Sequence, residues 1–88
     1  MDYHKSTRML KALGHPARIR MVEGIDKYGC HVTKMVERLK MPQSTVSQHL
    51  SALRSAGIVT FEKKGARCCY RLVDKKIMTI ITILKELA

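Results

Sequence analysis

Met41-Pro42-Gln43-Ser44-Thr45-Val46-Ser47-Gln48-His49-Leu50-Ser51-Ala52-Leu53 is the stretch from which the rest of this chain can be read. Pro42 suits the first position of a helix, where its missing N–H costs nothing. Val46, Leu50 and Leu53 then recur at helical spacing and form one narrow apolar seam. The other faces carry Gln43, Ser44, Thr45, Ser47, Gln48 and His49, with no Lys or Glu among them. An ordinary solvated helix face is built from Lys and Glu. A face of short hydroxyls and amides suits close approach to base edges in a DNA major groove, which is wide enough to admit a helix.

Just upstream, Val32, Met35, Val36 and Leu39 follow the i, i+3, i+4, i+7 template of a short amphipathic helix. Only Lys40-Met41 separates it from the helix that begins at Pro42, and two helices joined so tightly match a helix-turn-helix unit. Downstream, Gly57 is a natural C-terminal cap, so the second helix should end near Ala56-Gly57. Ile58 to Lys63 is rich in β-branched and aromatic residues and reads as a strand. Lys64-Gly65 is a turn signal, and Arg67 to Leu72 reads as the return strand. Alternation puts Cys68, Tyr70 and Leu72 on one side, with Cys68 toward the core, and Arg67, Cys69 and Arg71 on the other. A lone two-stranded hairpin needs helices to pack on.

The flanks complete the pattern. Tyr3 to Leu13 reads as a helix with Met9, Leu10 and Leu13 on its apolar face. Gly14-His15-Pro16 stops it and starts another, which continues through Ile19, Val22 and Ile25. Asp26 to Gly29 reads as a polar loop. Lys75 to Leu87 is helical and too apolar for a surface helix. Ile77, Ile81 and Leu84 line one stripe, and Ile80, Ile83 and Leu87 a neighbouring one. One stripe can pack on the domain, and the other needs a partner. The expected fold is mainly α with a small β-hairpin: about five helices and a two-stranded antiparallel wing, in one domain over residues 1–88.

Composition narrows the function. Seventeen Lys and Arg against seven Asp and Glu give a formal net charge of +10. That balance implies a polyanionic partner, nucleic acid before anionic membrane. No segment has the apolar length to span a bilayer, so no membrane partner is expected. One Phe, three Tyr and no Trp are too few for a stacking platform on single strands. Three cysteines without a disulfide framework read as free thiols. With no signal peptide visible in the polar start from Met1 to Arg8, they point to the cytoplasm. No nucleophile, base and orienting acid cluster together and no phosphate loop occurs, so the chain does not read as an enzyme. No cofactor is implied. A non-specific nucleic-acid binder and a winged-helix protein-interaction module are the alternatives to a sequence reader. The uncharged helix face argues against the first, since pure backbone binding would place Lys and Arg there.

In order and spacing, the chain resembles the ArsR family of bacterial and archaeal repressors. The carrying residues are Leu10-Lys11-Ala12-Leu13-Gly14-His15-Pro16-Ala17-Arg18-Ile19, Gln43 to Leu50, Leu53-Arg54-Ser55-Ala56-Gly57-Ile58-Val59 and the hairpin Gly65 to Leu72. The resemblance implies a homodimer, built by its first and last helices, that binds an operator in double-stranded DNA until a signal, here unknown, arrives. It implies base contacts from Ser44, Ser47 and Gln48, and base or phosphate contacts from Gln43, Thr45 and His49. His49 has an equal alternative, half-buried and hydrogen-bonded within the fold. Arg54 is either a phosphate contact or a solvated helix residue. Lys63, Lys64 and Arg67 cluster at the wing tip and are expected on phosphates. The dimer interface is expected to use Leu10, Leu13, Ile77, Ile80, Ile81, Leu84 and Leu87.

The sensor patterns of the family are missing. Cys30-His31-Val32-Thr33 stands where a paired Cys-x-Cys would serve a soft metal, and Thr33 is a poor ligand for one. The last helix has no His and too few acids for an interfacial zinc site, so no metal site is expected. The remaining thiol candidates are Cys30, near a helix start, and Cys69. Cys69 would be flanked by Arg67 and Arg71, cations that stabilise a thiolate.

Overall fold

A computed structural model describes residues 1–29 and 32–88, with the backbone alone at 32, 33 and 67. Its elements are α1 (Tyr3–Leu13), α2 (Pro16–Tyr28), α3 (Val32–Leu39), α4 (Gln43–Ser55), β1 (Val59–Lys64), β2 (Arg67–Leu72) and α5 (Lys76–Leu87). The strands pair antiparallel with Val59 opposite Leu72 and Lys64 opposite Arg67. This is the expected winged helix-turn-helix, with small differences at element boundaries. The helix of α2 continues through Asp26, Lys27 and Tyr28, because solvent accepts polar residues in a last helical turn as readily as in a loop. Pro42 is the N-cap of α4, with extended ψ of 143°, and not its first helical residue. The first strand starts one residue later, at Val59.

The chain's punctuation explains the boundaries. The Asp2 carboxylate accepts from the Lys5 N–H and opens α1. His15 opens α2, its Nδ1 accepting from the Ala17 N–H at 3.1 Å, with Pro16 following. Lys40 takes φ +52°, the left-handed conformation that lets α3 turn into α4 within three residues. At the end of α4, the Gly57 N–H donates to the Arg54 carbonyl and the Ile58 N–H to the Leu53 carbonyl. With Gly57 at φ +76°, this is a Schellman stop, and its apolar partners Leu53 and Ile58 are both fully buried. The stop aims the chain straight into β1.

The core gathers Met21, Val22 and Ile25 of α2, Met35 and Leu39 of α3, Val46, Leu50 and Leu53 of α4, and Ile58 and Val59 at the root of the wing. Ile77 and Ile81 of α5 join it, 4% and 1% exposed, and Leu13 of α1 is equally closed off. These three were expected at a dimer interface and are core residues instead. With two flanking helices and only one small sheet, the domain uses the nearer stripe of α5 to cover α2. Leu10, Ile80, Ile83, Leu84 and Leu87 remain exposed. Among the described residues, no helix is long and apolar enough to cross a membrane.

Because Ile81 fills the core, Ile81→Ala is expected to cost about 2–5 kcal/mol of unfolding free energy. Ile80→Ala should leave the protomer's own core intact. Urea unfolding followed by circular dichroism, at a protein concentration low enough to disfavour association, checks the contrast. Equal losses for the two variants would contradict this division of α5.

Candidate nucleic-acid interface

The faces of α4 divide cleanly. Val46, His49, Leu50 and Leu53 are buried, while Gln43, Ser44, Ser47, Gln48, Ser51, Arg54 and Ser55 are exposed and Thr45 is half-buried. At 3.6 residues per turn, Ser44, Ser47, Gln48, Ser51 and Ser55 lie within an arc of roughly 100°. The helix therefore shows solvent a continuous row of hydroxyls and one amide, about three turns long. Ser51 and Ser55 extend the row beyond the residues singled out from sequence. Their signal was the same four-residue spacing from Ser47.

His49 is not part of that row. It is 9% exposed, and its Nδ1 accepts a hydrogen bond from the Arg18 Nε–H at 3.1 Å. Its ring meets that of His15 edge-on, with centroids 4.6 Å apart. The structural alternative for His49 thus holds, and its place among DNA contacts is withdrawn: the ring points back from the exposed row into the junction with α2. A residue missed from sequence, Arg18, fixes it there. Burial first, then repulsion that protonation would bring against the neighbouring His15 and the Arg18 guanidinium, lowers the His49 pKa below its ordinary 6.5. The accepted hydrogen bond needs an unprotonated Nδ1, so geometry and electrostatics both favour the neutral ring.

The wing stands beside this row. The Arg54 guanidinium lies 3.9 Å from the centre of the Phe61 ring, so the end of α4 is stacked on the base of β1. Phe61 in turn lies against Tyr70 across the hairpin. Gly65, the first of two residues at the tip, takes φ +62° and lets the strands turn tightly. Glu62 pairs with Arg71 across the strands and stands 3.9 Å from the Lys64 Nζ. Both groups are well exposed, so the Lys64 pair is weak and its charge stays available to a partner. Lys63 has no ion pair among the described residues. Arg67 stands opposite Lys64.

The cysteines depart from expectation. Cys68 is exposed, because it stands opposite Lys63 near the hairpin tip, beyond the reach of the core. Cys69 is 5% exposed and disulfide-bonded, and so is not the accessible thiolate that Arg67 and Arg71 implied. The reason is packing: the Tyr70 N–H donates to the Gly29 carbonyl at 3.1 Å, and β2 lies against α2 and α3. Cys30 and His31 lie outside the described residues. Among the described residues, no three of His, Cys, Asp and Glu gather as a metal site would require.

A helix-turn-helix whose second helix exposes an uncharged polar row, followed by a basic two-stranded wing, defines a winged helix-turn-helix transcriptional regulator. Comparison with known proteins gives the family: residues 15–60 match the bacterial regulatory proteins of the arsR family. The chain belongs to the ArsR family, whose members are transcriptional regulators and not enzymes. It is 37% identical over 86 residues to an uncharacterised HTH-type transcriptional regulator of Methanocaldococcus jannaschii, covering 97% of each chain. It is 32% identical over 88 residues to the transcriptional repressor PagR of Bacillus anthracis, covering 99% of this chain and 88% of PagR. The crystal structure of PagR superposes with a TM-score of 0.79 at 33% identity, over 92% of this chain and 93% of that one. A homodimeric winged helix-turn-helix DNA-binding domain of Mycobacterium bovis, solved by NMR, has the same fold. Its TM-score is 0.82 at 23% identity, over 96% of this chain and 78% of that one.

The neutral His49 predicts a pH dependence. Its pKa is lower in the folded than in the unfolded chain, so below about 6.5 the unfolded chain binds more protons. The stabilising contribution is complete above that value and is lost as pH falls through the folded pKa. His49→Gln, whose amide oxygen can accept from Arg18 without titrating, should flatten the decline in urea midpoint between pH 7 and pH 5. An unchanged decline would remove His49 from the account.

Proposed function

We propose that the chain is a homodimeric, sequence-specific repressor acting in the cytoplasm, with α4 of each protomer in a major groove and the wing on flanking backbone. On this reading it binds an inverted-repeat operator and is released by a signal not yet identified. The observation that carries it is the division of α4: an apolar and imidazole face sealed into the core, and an uncharged hydrogen-bonding row beside a cationic wing. Ser44, Ser47 and Gln48 are assigned to base edges, with Gln43 and the half-buried Thr45 at the rim. Lys63, Lys64 and Arg67 are assigned to phosphates. Arg54, braced on Phe61, sets the angle between reading helix and wing and offers its outer edge to the backbone.

The dimer is supported by what the protomer leaves uncovered. Leu10 of α1, at 65% exposed, and Leu87 of α5, at 80%, stand open to solvent, as do Ile80, Ile83 and Leu84 of α5. The protomer exposes 6310 Å², against roughly 5,200 Å² for a compact monomer of 10.0 kDa. The excess is of the order that a dimer contact removes. The M. bovis relative is described as homodimeric, and PagR as a repressor. The interface is accordingly assigned to Leu10, Ile80, Leu84 and Leu87.

Leu84→Glu should then weaken association while leaving the protomer folded, since Leu84 lies outside the core. Sedimentation equilibrium reads the outcome, and a wild-type chain that stays monomeric at tens of micromolar would refute the dimer.

The two surfaces on DNA should separate by substitution. Gln48→Ala is expected to relax preference at one position in each half-site, costing about 1–3 kcal/mol of discrimination. Lys63→Ala with Lys64→Ala should weaken every duplex alike and reduce the salt slope. Binding to a selected operator and to random duplex, across several salt concentrations, measures both. The reverse pattern would exchange the roles of helix and wing, and no preference for any selected sequence would make the chain a non-specific binder.

A further inference from the structure

Away from the wing, α1, α2 and α4 meet around an open cleft of about 320 Å³. Arg8 and Lys11 of α1 and Arg18 of α2 line it, Ser55 of α4 stands at its edge, and Ala12 and Ala52 form part of its wall. Three cations thus face one concavity, and no carboxylate lines it. Among the described residues, the ion pairs involve Glu62 and Glu23 alone as acids, and none reaches Arg8, Lys11 or Arg18. Arg18 is held in place by its Nε–H bond to His49, and no other hydrogen bond of its guanidinium occurs among the described residues. A fixed guanidinium with open N–H groups, two further cations and a hydroxyl make a site for a tetrahedral oxyanion.

We propose that this cleft is a phosphate seat, and that the phosphate it takes is a backbone group of the same duplex whose bases α4 faces. The position of Ser55 chooses the source. It continues the row Ser47, Ser51, Ser55 at four-residue steps, so the cleft opens at the far end of the exposed face of α4. The wing cations lie on the Arg54 and Phe61 side of that helix. The seat lies on the α1 and α2 side, and the duplex would be gripped on both flanks of the reading row. Arg8 and Lys11 also lie roughly 100–160° around α1 from Leu10, which leaves them open when Leu10 is covered by a second protomer. Only the choice of source rests on the DNA-binding reading; the oxyanion chemistry stands on the cleft itself.

The experiment compares wild type with an Arg8→Ala, Lys11→Ala double variant, leaving Arg18 untouched because it holds His49. Circular dichroism and thermal unfolding establish that the variant is folded, and an Arg8→Lys variant keeps the charge. Binding to a random 30-base-pair duplex is measured from 50 to 300 mM salt. One phosphate per protomer in a dimer predicts a salt slope smaller by about two, and affinity lower by roughly tenfold or more at 0.1 M salt, with Arg8→Lys close to wild type. In parallel, inorganic phosphate is titrated into both proteins and followed by amide NMR. An unchanged duplex slope, with phosphate shifts at α1 and α2 lost in the variant, would keep the seat and overturn its assignment to the DNA backbone. Unchanged duplex binding together with no phosphate response would overturn the seat altogether. Absence of duplex binding by wild type would instead refute the DNA-binding reading, and the phosphate titration would then decide the seat by itself.

Discussion

Everything this molecule presents to a partner depends on how the back of α4 is sealed. Val46, Leu50 and Leu53 enter the core together with Ile58, and His49 closes the remaining gap against Arg18 and His15. An apolar residue at position 49 would fill space, but it would leave the Arg18 Nε–H without its acceptor. The imidazole fills the gap and satisfies that donor, which is the condition for burying a polar group at small cost. With four residues fixed on one side, the orientation of the other side follows. The serine row faces outward because no rotation of α4 could expose it less without exposing Leu53.

The same sealing accounts for where sequence reading succeeds. Helical periodicity, the Gly57 stop and the Gly65 tip are local signals, and they place six of the seven elements within a residue or so of their observed bounds. Identities that depend on what lies opposite were not legible. Which of two apolar stripes on α5 meets the core is decided by α2, some fifty residues away, and periodicity treats the stripes alike. Cys68 and Cys69 were exchanged between inside and outside for a related reason. Alternation gives two faces to a strand, but the packing of β2 on α2 and α3 decides which is covered, and the hairpin tip escapes cover altogether. His49 illustrates the limit most sharply. Its neighbours Gln48 and Ser47 read correctly as surface, and only the partner at Arg18, 31 residues earlier, settles its own direction.

Charge is distributed in a way that matches the division of faces. Among the described residues, four of the seven acids make pairings within the chain. Asp2 caps α1, Glu62 takes Arg71, and Glu23 of α2 meets Lys85 of α5. Asp74 accepts from the Lys76 N–H at the start of α5. What remains is a surplus of cations on the wing and along α1 and α2, flanking a reading row that carries no charge of its own. Such a pattern separates affinity from discrimination. Flanking cations attract any polyanion, with a strength that salt erodes, while the neutral row is rewarded only when its hydroxyls and amide find matching base edges.

The contacts between elements also link the surface assigned to dimerisation with the one assigned to DNA. The nearer stripe of α5 rests on α2 through Ile77 and Ile81, and Lys85 ties its far end to Glu23. From α2, Arg18 reaches the middle of α4, and the Gly29 carbonyl at its other end receives the Tyr70 N–H of the wing. Reading helix and wing are themselves joined by Arg54 on Phe61. Thus α2 touches every part that matters: its start positions the helix, its end positions the hairpin, and its back carries α5. A shift of α2 would be felt by helix and wing alike, because both are anchored to it. Coupling through a packed element of this kind needs no ligand pocket near the DNA face, only two arrangements of α2 that differ in free energy when the protomers are paired.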